Sequence, residues 1–141
     1  MKKVFLDTNI LLDAALGRQY SKEALTILQS GEDNNVELYA TTLTYANIAY
    51  ILRKHSKDEI YNYLRALRTG INILSIDESC LDAAIEGEAA DFEDMLQYQC
   101  ALKGGCDYII TNNKKDFIAF SNLPVFSSSE FLEQMGATKM R

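Results

Sequence analysis

Lys3-Val4-Phe5-Leu6-Asp7-Thr8-Asn9 is the stretch on which the reading of the fold turns. Val4, Phe5 and Leu6 form a short apolar run followed at once by small polar residues, the pattern of a strand buried on both faces. Asp7 then falls at the carboxyl end of that strand. In open parallel sheets, ligands bind in the crevice outside the strands' carboxyl ends. A carboxylate fixed on a rigid strand tip is well placed to hold a cation there. Asp7 has a second reading, as the cap of the following helix, with Thr8 and Asn9 as turn formers.

Working outward, Ile10, Leu11 and Leu12 lead into a short helix that Gly17 ends. Ser21 precedes a helical run of Ala24, Leu25, Ile27 and Leu28, and Gly31 stands where that helix would stop. Asn34-Asn35 makes a turn before a second strand over 36–41. Thr42 or Thr44 can cap the next helix, which carries Tyr45, Ile48 and Leu52 and runs into Arg53-Lys54-His55. Ser56 and Glu59 have capping-box spacing. The helix they open carries one apolar stripe of Ile60, Tyr63, Leu64 and Leu67, and Gly70 closes it. A third strand is expected over 71–76. Asp77 caps a helix through Ile85, and Asp91-Phe92-Glu93-Asp94 opens another that ends at Gly104-Gly105. A fourth strand is expected over 106–111, followed by a polar loop into a short helix. Pro124 precedes a short edge strand at Val125-Phe126, and a last helix covers 130–135. Strands alternating with helices predict an α/β fold, with a mostly parallel sheet covered on both faces. The chain shows no repeat, linker or internal boundary, so one domain over 1–136 is expected, with a frayed tail at 137–141.

Composition sets the compartment and excludes some functions. The chain has 141 residues, 48% of them apolar, and a net charge of −6. That is enough to bury a core, and the charge argues against sequence-independent coating of nucleic acid. A metal-dependent nuclease stays open, because bound cations offset clustered carboxylates. No apolar run is long enough to span a membrane, and Met1-Lys2-Lys3 is followed by too few apolar residues for a signal peptide. Cys80, Cys100 and Cys106 lack metal-site spacing and read as reduced core thiols of a cytoplasmic protein.

Downstream acids fall where they can meet Asp7. Thr111 also ends a strand, and Asp116 lies five residues beyond it. Asp91 and Asp94, three apart, sit at the amino end of one helix, on roughly one face. Carboxylates without His or Cys suit hard divalent ions such as magnesium and manganese. Each residue also has a structural use: Asp91 as an N-cap, Asp94 as a complement to the helix dipole, and Asp116 as a cap of its own short helix.

Three strings in order, D-T-N-I-L-L-D at 7–13, D-F-E-D-M-L-Q at 91–97 and G-C-D-Y-I-I-T-N-N-K-K-D-F at 105–117, resemble the PIN-domain family, in particular the small bacterial VapC-type toxins. The resemblance implies a three-layer α/β/α sandwich and a Mg2+- or Mn2+-dependent ribonuclease, expected to form a homodimer with a small antitoxin partner. It assigns Asp7, Asp94 and Asp116 as the catalytic, metal-holding acids, with Thr8 and Thr111 at small hydroxyl positions near the metal. One departure stands out. The family's glutamate on the helix after the second strand is replaced by Asn47, whose amide can offer a carbonyl oxygen but no charge. Asn47 and Asp91 are therefore read as secondary metal ligands. Thr8, Thr111, Asn113, Lys114 and Lys115 are candidates for substrate contact, as is the Arg53-Lys54-His55 cluster for phosphates; for these cations solvated surface is the competing reading. As alternatives, Asn47 leaves open a non-catalytic module that binds RNA or a partner protein. A phosphate-binding or receiver-type protein is disfavoured by the lack of a glycine-rich loop after the first strand.

Overall fold

The computed structural model describes residues 1–139, with side chains through 136. The tail expected at 137–141 lies outside the fully described residues. Five strands alternate with eight helices: β1 (Lys3–Leu6), α1 (Thr8–Leu16), α2 (Ser21–Glu32), β2 (Glu37–Thr41), α3 (Thr42–Ile51), α4 (Lys57–Gly70), β3 (Ile71–Leu74), α5 (Glu78–Gly87), α6 (Phe92–Lys103), β4 (Tyr108–Ile110), α7 (Lys115–Ile118), β5 (Val125–Phe126) and α8 (Ser128–Lys139). The last helix runs past the expected end at Met135, whereas β3 and β4 are shorter than expected. All four strand pairings are parallel, in the order β3-β2-β1-β4-β5.

Why β1 is apolar at every inner position follows from its place at the centre of the sheet. Val4 and Leu6 point into one core with Leu38, Ala40 and Ile110, beneath α2, α4 and α8. Phe5 points the other way, into a second core with Met95, Tyr98, Cys100 and Phe117 from α6 and α7. The pleat thus divides one short run between two helical layers, which is the three-layer α/β/α sandwich expected from the resemblance. Cys80, Cys100 and Cys106 are free and buried, as core thiols should be.

Strand order also fixes where a site can form. The chain lays β2 and β3 on one side of β1, then crosses back to place β4 and β5 on the other. The connections leaving β1 and β4 therefore diverge, and a crevice opens at their carboxyl ends. Leu6 pairs with Ile110, so Asp7 and Thr111 emerge side by side, and the Asp7 N–H donates to the Ile110 carbonyl at 3.0 Å.

Local caps refine several expectations. Gly17 ends α1 in the left-handed region at φ 62°. Asp77 and Ser56 cap α5 and α4 through the backbone N–H groups of Cys80 and Glu59. The cap of α3 is Thr41, not Thr42 or Thr44: it is the last extended residue, and its Oγ1 accepts from the Thr44 N–H at 3.3 Å. Tyr20 precedes α2 without a side-chain capping bond. Nor does Gly31 stop α2, which continues to Glu32; a Cβ there would stand 2.5 Å from Leu38 Cδ1. Glycine at 31 lets the helix lie against the sheet.

Candidate active site

The crevice is a cleft of about 370 Å3 lined by residues from four segments: Asp7, Thr8, Asn9 and Leu12 around the start of α1; Asn47, Tyr50 and Ile51 on α3; Asp91, Glu93 and Asp94 at the head of α6; and Asn113 and Asp116 after β4. Asn47, Tyr50 and Ile51 are three and four apart and so share one face of α3. Arg53 stands over the exposed Tyr50 ring at the rim, 4.2 Å from its centroid, with its guanidinium also bonded to the Tyr50 carbonyl.

Asp7 carries the decisive detail. It occupies the N-cap position of α1 but makes no side-chain capping bond there. Instead its Oδ2 accepts from the Thr111 hydroxyl at 2.8 Å, and that hydroxyl accepts in turn from the Asn113 N–H at 3.0 Å. Thr111 is thus a strut behind Asp7 and does not line the cleft. Beneath them, Thr8, Thr44 and Gln97 form a buried ring of long side-chain hydrogen bonds of 3.3–3.4 Å. This ring ties α1, α3 and α6 together under the site. Asp91 does cap α6, accepting from the Asp94 N–H at 3.0 Å, and it lines the cleft as well.

Five carboxylates line this cleft (Asp7, Asp91, Glu93, Asp94, Asp116), and none of the other lining residues is Lys, Arg or His. The consequence is electrostatic. Burial pushes the Asp7 carboxyl up to about 6 against the pull of Thr111, and the charges of Asp116 and Glu93 add to the rise. Burial likewise raises Asp94 to about 7, followed by the like charges of Asp7, Asp91 and Asp116. Among the described residues, no three His, Cys, Asp or Glu side chains already stand together in an arrangement that could hold a metal ion. An uncompensated cleft with only oxygen donors fits a hard divalent cation, with Asp7, Asp94 and Asp116 as the acids that would hold it.

Of the residues expected at the site, Asp7, Thr8, Asn47, Asp91, Asp94, Asn113 and Asp116 share this cleft. Lys114 and Lys115 do not line it. The Lys114 ammonium pairs with Glu130 at the start of α8, 2.8 Å away. His55 is a surface group beside Glu59. The sequence reading passed over five lining residues, Asn9, Leu12, Tyr50, Ile51 and Glu93. Glu93 lies inside the D-F-E-D run, and its neighbour Asp94 drew the attention that its own position merited.

The model of the PIN domain family matches residues 3–115, and the chain belongs to that family. It is 28% identical to Ribonuclease VapC1 of Aquifex aeolicus (strain VF5) over 142 residues, taking in 94% of this chain and 95% of that one. Among solved structures, the fold is similar to VapBC2 of Rickettsia felis bound to a DNA fragment from its promoter. That likeness has a TM-score of 0.70 at 19% identity and covers 89% of this chain and 98% of the other. A toxin–antitoxin complex from Klebsiella pneumoniae is similar with a TM-score of 0.66 at 21% identity, covering 85% and 94%.

Proposed function

We propose that this chain is a divalent-metal-dependent ribonuclease that hydrolyses RNA phosphodiester bonds and acts as the toxin of a toxin–antitoxin pair. The observation that carries the reading is the cleft of five carboxylates without a basic residue, set at the switch point of a PIN sheet. Membership of the family, and the relative called a ribonuclease, support the reaction. The similar toxin–antitoxin complexes support a small antitoxin as partner. Mg2+ or Mn2+ is the cofactor that the donor set favours.

Asp7, Asp94 and Asp116 would hold the ion, with Asp91 at the edge of the site. When bound, such a cation supplies a more acidic water and stabilises charge on the phosphoryl oxygens. The chain's own part is placement. Thr111 fixes the Asp7 carboxylate, and Asp91 squares the first turn of α6 so that Asp94 faces the cleft. Leu12 and Ile51 give the cleft an apolar side. Tyr50 lines the cleft and carries Arg53 over its ring, so that guanidinium is a cation available to an RNA phosphate near the cleft.

Incubating end-labelled RNA with the protein tests this reading. Cleavage is expected with Mn2+ or Mg2+, none with excess chelator, and a loss of at least a hundredfold in Asp7→Asn, on the order of the cost of removing a group that stabilises transition-state charge. Cleavage unaffected by chelator, or intact in Asp7→Asn, would overturn it.

A further inference from the structure

We infer that Glu93 is a metal-directed carboxylate of this cleft and that Asn47 is the residue that aims it. The inference rests on the metal dependence proposed above and adds two roles to it. Asn47 Nδ2, on α3, donates to Glu93 Oε1, on α6, at 2.5 Å across a sequence separation of 46 residues. Both residues line the cleft, on the helices that form its two walls.

The bond engages one oxygen of Glu93, and the residue itself lines the cleft. A glutamate on an exposed helix end has several rotamers, and ordering it costs entropy each time a cation binds. The Asn47 amide removes part of that freedom in advance, which is preorganisation by a residue that itself supplies no charge. Asn47 thus serves through its N–H2 end, not through the carbonyl ligation expected from sequence. Asn47 is a positioning residue, and Glu93 brings the carboxylate.

A plain clasp between α3 and α6 makes a different prediction, and Glu93→Gln separates the two. Glutamine keeps an oxygen that can accept from Asn47 but removes the charge. The experiment is calorimetric titration of the full chain with Mn2+, paired with melting of the metal-free protein. Glu93→Gln is expected to weaken Mn2+ binding by tenfold or more with no fall in metal-free Tm. Asn47→Ala should weaken it by roughly tenfold, the lower end for losing a group that orients a ligand. The double variant N47E/E93Q, which moves the carboxylate to the opposite wall, should recover most of the loss. Wild-type Mn2+ affinity in both Glu93→Gln and Asn47→Ala, with or without a lower Tm, overturns the inference alone. Failure of the unaltered protein to bind Mn2+ overturns it together with the proposed metal dependence.

Discussion

Asp7 stands at a helix N-cap without capping, and Asp91 caps while also facing the cleft, so similar positions carry different duties. Asp94 differs again, since its backbone N–H is what Asp91 caps and its carboxylate is free of that task. Burial and four neighbouring acids make its charged form unfavourable, outweighing the ~0.3–1 kcal/mol that a helix amino end gives an acid. Asp94→Asn is therefore expected to raise the metal-free stability, by on the order of 1 kcal/mol once solvent screening of the half-exposed site is allowed for. The same variant should lose Mn2+ stabilisation and RNA cleavage; a lower Tm with cleavage intact would contradict the assignment. Asp91 divides by chemistry: Asp91→Ala should cost about 1 kcal/mol as a lost cap, while Asp91→Asn should keep the cap and nearly the whole Tm. Thermal melts of the two variants measure that difference.

At the scale of elements, glycine shows where a sequence rule and packing part. Gly31 sits where a helix stop is expected, yet α2 runs on and the residue serves close approach to Leu38. Gly31→Ala gains up to about 1 kcal/mol in helix propensity. It sets a Cβ at 2.5 Å from a fully buried leucine, an overpacking that costs about 1–3 kcal/mol. A net loss in denaturant midpoint is expected; an unchanged or higher midpoint would show that Leu38 can yield. Elements governed by local chemistry were legible in the sequence: the buried run of β1, the Gly17 terminus and the caps at Ser56, Asp77 and Asp91. The cap of α3 was expected at Thr42 or Thr44 and falls at Thr41, because the difference lies in which backbone is extended. Gln97 and Glu93 needed the third dimension: which side of α6 a polar residue faces depends on what α1 and α3 place opposite it. Nor could the sequence place Lys114 beside Glu130, since that pairing needs α8 to return to the end of β4.

For the whole molecule, a cleft that gathers acids without cations sets the pH response. Asp7 and Asp94 titrate at about 6 and about 7 when folded, above the ordinary value of 3.8 for the unfolded chain. The folded state thus binds protons more tightly than the unfolded one between these values. Their contribution to stability is full below about pH 4 and is lost as pH rises through 6 and 7. The Asp77 and Glu130 carboxyls, depressed by Lys103 and Lys114, act oppositely, but only at acid pH well below that window. The metal-free protein should accordingly melt higher at pH 5.5 than at pH 8. Saturating Mn2+ should reverse the order, since the cation binds the deprotonated acids. Melts at both pH values with and without Mn2+ check this, and a metal-free Tm that rises from pH 5.5 to 8 would contradict it. The most direct test of the central claim is the anomalous scattering of a crystal soaked in Mn2+. The account predicts a manganese peak in the cleft, bound by Asp7 and by at least two of Asp94, Asp116 and Glu93. A cleft without manganese, at a concentration that supports RNA cleavage, would contradict it.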